Sequence, residues 1–211
     1  MKPSKKFSIE AGARSSPLSR AQAEEIAAGW PQIDLRMHWV ETTGDLDRTT
    51  SLRALGKSDF FTRELDEMVL AGKVRIAIHS AKDLPDPMPE GLCVATLTKG
   101  IDPRDCIVLR PKESLSSGMV IATSSERREE AVRQLEADVC FIDLRGTIAE
   151  RLSKLESGEA DGVVVAVAAL IRLKLVNLNC VYLPGPTVPG QGQLAVVCRA
   201  DDEEMKCQFS I

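Results

Sequence analysis

The chain lacks the excess of positive charge that proteins binding long nucleic acids usually carry. Its 211 residues include 27 lysines and arginines against 31 aspartates and glutamates, a formal net charge of -4, and its pI is about 5.4. Binding of duplex DNA normally depends on a broad basic face. The composition therefore argues against a nucleic-acid partner, whereas a small polycarboxylate or phosphate remains compatible with it.

Histidines are scarce, and the cysteines are scattered. The chain has two histidines, His38 and His79, and no C-x-x-C pair. A zinc site with the usual Cys/His spacing is therefore not expected. Several cysteines fall in apolar runs, where cysteine packs as a small hydrophobic residue; the six are Cys93, Cys106, Cys140, Cys180, Cys198 and Cys207.

Long hydrophobic runs are also missing. No segment approaches the roughly 18 apolar residues that a membrane span needs, and the basic start Met1–Lys6 is not followed by the apolar core of a signal peptide. We therefore expect a cytoplasmic protein without a membrane partner. With 44% hydrophobic residues, the chain can still bury the core of one large domain or two small ones.

Two common catalytic signatures are absent as well. Gly190-Gln191-Gly192-Gln193 is not followed by Gly-Lys-Ser/Thr and opens no obvious helix, so it matches neither a P-loop nor a dinucleotide fingerprint. The chain also contains no G-x-S-x-G and no recognisable Cys–His pairing. These absences argue against nucleotide chemistry and nucleophilic hydrolysis.

What the chain does have is arginine or lysine where predicted strands give way to loops or helices. A helix start offers unpaired amide groups and a positive dipole end, so an added guanidinium makes a strong anion site. The repetition indicates one ligand with many negative groups. The runs are Ala13-Arg14-Ser15-Ser16-Pro17, His79-Ser80-Ala81-Lys82-Asp83, Thr123-Ser124-Ser125-Glu126-Arg127-Arg128 and Leu144-Arg145-Gly146-Thr147, with Arg151 just beyond.

Alternating strand and helix patterns predict an α/β fold with two lobes and mostly parallel sheets. Residues 7–13 are typical of a strand, Ser16 and Pro17 of a helix start, and 162–167 of a central buried strand. The predicted lobes are 1–98 plus 196–211 and 99–195, with a hinge near 101–105 and a proline-rich crossing at 184–189. A ligand is expected at the strand carboxyl ends, in a central cleft between the lobes.

Lys82-Asp83 is the sharpest chemical pair, because it directly follows a predicted buried strand, 74–78. A carboxylate held there can take up a proton or stabilise a cationic intermediate. The alternative is an exposed ion pair at a strand end. Arg127, Arg128 and Arg145 are either anion ligands or solvated helix charges. Thr123, Ser124 and Ser125 are either ligand contacts or helix caps.

Together these runs resemble the hydroxymethylbilane synthase family, also called porphobilinogen deaminases. The matches occur in order along most of the chain. They are Arg14-Ser15-Ser16-Pro17-Leu18, Ala21-Gln22-Ala23, Thr43-Gly44-Asp45, Phe61, Glu64-Leu65, 79–85, Asp102-Pro103-Arg104-Asp105, 123–128, 144–147, 151–155 and Gly190-Gln191-Gly192.

The resemblance implies a two-lobed fold similar to periplasmic binding proteins and a transferase of porphyrin and heme biosynthesis. Such an enzyme removes ammonia from porphobilinogen and joins the pyrroles into the linear tetrapyrrole hydroxymethylbilane. By resemblance Asp83 mediates proton transfer, and Arg14 and Arg145 serve the incoming monomer and the leaving amine. The implied carboxylate-binding residues are Lys82, Ser80, Thr123, Ser124, Ser125, Arg127, Arg128, Arg145, Arg151 and Arg172.

Two departures from the family pattern are visible. The loop Gly56-Lys57-Ser58-Asp59-Phe60-Phe61 has its lysine displaced by one position, and its cleft-closing role stays open. The family also carries a third domain, whose cysteine attaches a dipyrromethane cofactor by a thioether. The sequence shows no such domain and no matching cysteine, and Cys207, Cys93 and Cys106 are weak substitutes.

Three functions remain open at this point. The first is a shortened hydroxymethylbilane synthase, expected to act as a monomer on porphobilinogen and the growing polypyrrole. The second is a non-catalytic module that binds a pyrrole or another polycarboxylate. The third is a degenerate relative that interacts with other tetrapyrrole enzymes.

Overall fold

A computed structural model describes residues 7–47, 50, 59–175 and 177–210. The predictions for the start of the chain, Met1–Lys6, and for residues 56–58 of the 56–61 loop lie outside these residues. The chain divides into two compact units. Unit 1 consists of 1–46, 57–100 and 193–211, and unit 2 consists of 47–56 and 101–192.

The regular elements alternate along the chain as expected for an α/β protein. The strands are β1 (Phe7–Arg14), β2 (Ile33–Val40), β3 (Ile76–Ser80), β4 (Leu92–Leu97), β5 (Asp105–Leu109), β6 (Val120–Ala122), β7 (Cys140–Ile142), β8 (Gly162–Ala166), β9 (Asn179–Tyr182) and β10 (Leu194–Arg199). The helices are α1 (Pro17–Gly29), α2 (Thr43–Leu46), α3 (Arg63–Leu70), α4 (Glu126–Arg133), α5 (Ile148–Glu156), α6 (Val167–Arg172) and α7 (Glu203–Gln208).

Each unit contains a five-stranded sheet, and the two sheets have equivalent topology. The order is β2-β1-β3-β10-β4 in unit 1 and β7-β6-β8-β5-β9 in unit 2. In each, three neighbouring strands are parallel and the fourth, β10 or β5, runs antiparallel to both of its neighbours. The predicted α/β class with mostly parallel sheets is confirmed.

Local sequence signals explain several helix starts. Ser16 caps α1 by accepting a hydrogen bond from the Ser19 amide, and Pro17 occupies the first turn. Thr147 and Glu150 form the reciprocal capping box of α5 that the sequence predicts. Both caps fix helices that begin within three residues of a predicted site arginine, Arg14 or Arg145.

The core of each unit lies on the two faces of its sheet. In unit 2 all five residues of β8 are buried, which agrees with its central position in the sheet and with the prediction of a central strand. In unit 1 the cores include Ile9, Ile78 and Val196 on one face and Leu65 and Val197 on the other. These buried strands fix where the polar residues at their ends lie.

Two predicted boundaries differ from the structure. The segment that starts at Thr42 is not only a loop, because the Leu46 amide donates to the Thr42 carbonyl and residues 43–46 form the short helix α2. The third strand begins later and extends further than 74–78, so that Ser80 is its last residue. A single 3-10 turn, Ala81–Asp83, follows it.

Candidate active site

Most of the predicted site residues lie at or just after the carboxyl ends of the parallel strands of each unit, whereas Arg151 and Arg172 lie in α5 and at the end of α6. Arg14 is the last residue of β1, and Lys82 and Asp83 form the turn after β3. Thr123 follows β6, and Arg145 follows β7. Because β5 is antiparallel to its neighbours, its first residue, Asp105, belongs to the same edge of the unit 2 sheet.

In unit 1, Arg14 is held by a carboxylate and an aromatic ring. Its guanidinium donates through Nε to Asp45 Oδ2 at 3.1 Å and through Nη2 to Asp45 Oδ1. Its Cζ lies 4.6 Å from the Phe61 ring centroid, a cation–π distance. Asp45 also accepts hydrogen bonds from the amide and hydroxyl of Thr42.

The Asp45 carboxylate is therefore charged and well anchored. Burial alone would raise its pKa, but the hydrogen bonds and positive charge of Arg14, together with the Thr42 donors, outweigh burial and hold the pKa of Asp45 below its usual range. This pair restrains Arg14 at the end of β1.

Asp83 differs from the other acids at this edge. It is partly buried in the turn after β3, and within the described ranges no group donates a hydrogen bond to its carboxylate. A carboxylate that is held on a rigid strand end and not engaged by the protein can accept a proton or stabilise a nearby cation.

Ser80 and His79, the last two residues of β3, face different neighbours. The Ser80 hydroxyl accepts a hydrogen bond of 2.8 Å from the Gln22 side chain of α1. The buried His79 Nε2 lies 3.9 Å from Asp66 Oδ1 of α3. The Ser80 side chain is thus held by α1, and the His79 side chain is part of the buried interior of unit 1.

In unit 2, Arg127 and Arg128 converge on one carboxylate. Arg127 Nη2 donates to Asp105 Oδ2 at 2.5 Å, and Arg128 Nη2 donates to Asp105 Oδ1 at 2.6 Å. Arg127 Nη1 also donates to the Pro186 carbonyl at 3.0 Å. The first turn of α4 therefore presents a pair of guanidiniums around a buried acid.

The serines and threonine after β6 have separate positions. Ser124 joins two loops, because its hydroxyl accepts from the Leu144 amide at 2.7 Å and donates to the Leu144 carbonyl at 3.1 Å. Thr123 is fully buried. Ser125 is the N-cap of α4 but makes no side-chain capping bond.

The other predicted site arginines of unit 2 donate to backbone carbonyls. Arg145 Nη2 donates to Asp47, Arg151 Nε to Gly146 at 2.9 Å, and Arg172 Nη2 to Gly192 at 2.9 Å. Each of these bonds helps to orient the guanidinium that donates it.

The six cysteines differ in burial, and Cys93 and Cys180 are partly buried. Cys106 and Cys198 are fully buried, whereas Cys140 and Cys207 are exposed. Over the part of the chain that the structure describes, no group of three or more His, Cys, Asp or Glu residues could hold a metal ion. In the same part, no helix is both long and apolar enough to cross a membrane.

Sequence reasoning quoted Asp45, Asp105, Phe61, Gln22 and Gln191 only as members of motifs and gave them no role. All five contact a predicted site residue or its partner. The two motifs that contain aspartate marked these acids as candidates, but the sequence did not show which arginine each aspartate would contact.

The chain is similar to known proteins in both sequence and fold. The family model described as porphobilinogen deaminase, dipyromethane cofactor binding domain, matches residues 9–207. A porphobilinogen deaminase of Chloroherpeton thalassium is 34% identical over 92% of this chain and 65% of its own length. One of Syntrophomonas wolfei is 33% identical over 93% of this chain and 68% of its own. The chain thus spans about two thirds of these relatives.

Among solved structures, a probable amino-acid ABC transporter extracellular-binding protein of Bacillus subtilis superposes with a TM-score of 0.57. It is 12% identical, and the match covers 96% of this chain and 88% of that one. At this identity the likeness concerns the fold alone. It agrees with the expected similarity to periplasmic binding proteins.

Proposed function

Because the chain belongs to the porphobilinogen deaminase family, we propose that it is a hydroxymethylbilane synthase. It would release ammonia from porphobilinogen and join the pyrroles into a linear tetrapyrrole. The observation that carries this proposal is the family match over residues 9–207, which includes Asp83 and every other proposed site residue.

Asp83 is the proposed proton-transfer residue. Loss of ammonia from the aminomethyl group leaves a positive charge on the pyrrole, and forming the next carbon–carbon bond requires a proton to leave the attacking pyrrole. A carboxylate fixed just after β3 can stabilise the first charge and accept the proton. Lys82, its neighbour in the turn, would attract a substrate carboxylate.

The arginines are the proposed carboxylate ligands. Porphobilinogen carries an acetate and a propionate, so every addition brings two further negative charges. Arg127, Arg128, Arg151 and Arg172 would bind them, with Ser80, Thr123, Ser124 and Ser125 supplying neighbouring polar groups. Arg14 and Arg145 would orient the incoming monomer and its leaving amine.

The donor set also fits the carboxylates of a dipyrromethane, the cofactor implied by the family. Arg128 engages Asp105 through Nη2 and keeps further donors, and Arg172 and Arg151 contribute guanidiniums that the carbonyls of Gly192 and Gly146 help to orient. When bound, a dipyrromethane would supply the nucleophilic pyrrole that starts the chain. Of the cysteines, Cys140 and Cys207 are exposed enough to react, while Cys106 and Cys198 are not.

Turnover of porphobilinogen by the purified chain tests the proposal. Ammonia release and uroporphyrin, formed from the product by acid oxidation, would be followed in parallel with the intact mass. We expect Asp83→Asn to reduce ammonia release about 100-fold or more, the usual size of a general acid–base contribution, without changing the melting temperature.

Asp201→Asn is the matched control, because Asp201 is an exposed acid of unit 1 paired with Arg199 at the far end of β10. It should leave the rate unchanged. Binding of porphobilinogen without ammonia release would refute the enzyme proposal and favour a binding module. Equal losses in the two variants would refute the role of Asp83.

A further inference from the structure

Asp105 is the most deeply buried acid at the edge of unit 2 that carries the arginines. Its side chain is 1% exposed, and it begins β5, the antiparallel strand of the sheet. A carboxylate removed from water in this way must be paired and hydrogen-bonded, since the uncompensated charge is strongly destabilising.

The pairing is divided evenly between two neighbouring residues. Each oxygen of Asp105 accepts from one arginine, Oδ2 from Arg127 and Oδ1 from Arg128. Two guanidiniums and one carboxylate leave a net charge of +1. Without the carboxylate, two cations in the same helical turn would repel each other.

The carboxylate stays ionised in this arrangement. Burial would raise its pKa, but the charges and hydrogen bonds of Arg128 and Arg127 outweigh burial and hold the pKa of Asp105 below its usual range. The group therefore keeps its charge of +1 at neutral pH, which matches one carboxylate of a ligand.

Gln191 fixes the other side of the acid without adding charge. The 4% exposed glutamine donates through Nε2 to Asp105 Oδ1 at 3.0 Å and to the Pro103 carbonyl at 2.6 Å. It belongs to the Gly190-Gln191-Gly192 motif, which matches no nucleotide-binding pattern. A Cβ on Gly192 would lie 2.4 Å from the Ile101 carbonyl oxygen, so this close approach requires glycine.

The paired arginines keep donors for a ligand. Arg128 uses Nη2 for Asp105, and its Nε and Nη1 make no hydrogen bond to any other residue in the described ranges. The Arg127 side chain is 28% exposed and that of Arg128 is 12% exposed. Anchored guanidiniums of this kind lose little freedom when they bind a carboxylate.

We propose that Asp105, held by Gln191, is a positioning residue that fixes Arg127 and Arg128 to receive one carboxylate of the substrate. The identity of that substrate rests on the proposed function. The geometry does not, because the four side chains lie within one unit.

A kinetic double-mutant cycle with porphobilinogen tests the coupling. Asp105→Asn alone should lower kcat/KM about tenfold or more, mainly through KM, because a charge-assisted contact is lost and two cations are released. Combined with Arg127→Gln and Arg128→Gln, the same change should alter kcat/KM less than twofold. Equal losses in both backgrounds, or no loss alone, would overturn the proposal.

Gln191→Met supplies a milder variant in case Asp105→Asn does not fold. It keeps the side-chain length and removes the amide donor, and it should raise KM about threefold. Asp161→Asn is the matched control, because Asp161 accepts from Arg110 at 3.1 Å at the opposite edge of the same sheet. It should leave kcat/KM within twofold of the wild type.

A measurement without turnover separates this proposal from the proposed function. In ¹⁵N spectra of the intact chain, slow rotation about Nε–Cζ should give separate Nη signals for Arg127 and Arg128, and Asp105→Asn should average them. Averaged signals in the wild type would refute the positioning role even if the chain is active. Separate signals in a chain that releases no ammonia would support the positioning role while the proposed function fails.

Discussion

The Asp45 carboxylate holds Arg14, and replacing it isolates that contact. Asp45→Asn keeps the shape of the side chain but removes the charge that pairs with the guanidinium. Since charge-assisted hydrogen bonds contribute about 1.5 to 3 kcal/mol, we expect kcat/KM for porphobilinogen to fall about tenfold or more. Steady-state kinetics of the variant would measure the loss.

The control for this change is Asp34→Asn. Asp34 is an acid of β2 that accepts a hydrogen bond from the Ser8 hydroxyl, and it lies at the start of the strand, away from Arg14. Its loss should not affect kcat/KM. An Asp45→Asn variant as active as the wild type would show that the Phe61 ring and the backbone suffice to place Arg14.

Single residues also show what the sequence could and could not predict. The cationic residues were identified because arginine after a strand is a local pattern. Their carboxylate partners were not, because Asp45 is 31 residues from Arg14 and Asp105 is 22 residues from Arg127. Only the fold brings such positions together.

The segment leading into β10 turns on Gly192, and a matched glycine isolates its role. Gly192 and Gly185 both have positive φ, 87° and 83°. A Cβ at Gly192 would lie 2.4 Å from the Ile101 carbonyl oxygen, whereas nothing lies within 4 Å of one at Gly185. Gly185→Ala should therefore cost about 1 to 2 kcal/mol of unfolding free energy for the backbone conformation alone.

Gly192→Ala should cost about 1 to 3 kcal/mol more than this, because the backbone must also move away from the clash. Urea unfolding of both variants, followed by circular dichroism, measures the difference. Equal midpoints for the two variants would mean that residues 101 and 192 separate at no cost.

Helices and strands were predictable where a local signal marks them. Ser16-Pro17 and the Thr147/Glu150 capping box predict the starts of α1 and α5, and both are confirmed. The four-residue helix α2 was missed because it is too short to show a periodic pattern. The shift of β3 by two residues arises from pairing of His79 and Ser80 with β10, which is far away in sequence.

The sheets, too, were predictable from the sequence only in part. Alternating strand and helix patterns predict the α/β class, because parallel strands need crossover helices. They do not predict that β10 inserts between β3 and β4, or β5 between β8 and β9. The direction of a buried strand cannot be predicted from an apolar run, because the run has the same pattern in parallel and antiparallel pairing.

Unit 1 buries two titratable groups whose effects on stability oppose each other. Burial first, and then the charge of Asp59, raises the pKa of Asp66 to about 6, although the nearby Thr62 side chain lowers it. Burial first, and then the charge of Arg14, lowers the pKa of His79 to about 4. The two groups lie 3.9 Å apart between α3 and β3.

The sign of each pH dependence follows from whether the folded or the unfolded state holds the proton. Between about pH 4 and 6 the folded protein keeps a proton on Asp66 that the unfolded chain has lost, so Asp66 makes the unfolding free energy fall as pH rises. Over nearly the same range the unfolded chain protonates His79 and the folded protein does not. His79 therefore makes the unfolding free energy rise with pH, and the two contributions largely cancel.

Single substitutions should reveal the two pH dependences of the unfolding free energy, which have opposite signs. Asp66→Asn removes the Asp66 contribution, so the difference in unfolding free energy between this variant and the wild type should rise from about pH 4 to 6. His79→Gln removes the His79 contribution, so its difference from the wild type should fall from about pH 4 to 6.5. Each change should reach about 2 to 3 kcal/mol, because a shift of two pKa units corresponds to about 2.7 kcal/mol. Urea unfolding at several pH values measures both differences, and slopes of the same sign in the two variants would mean that the groups are not buried as described.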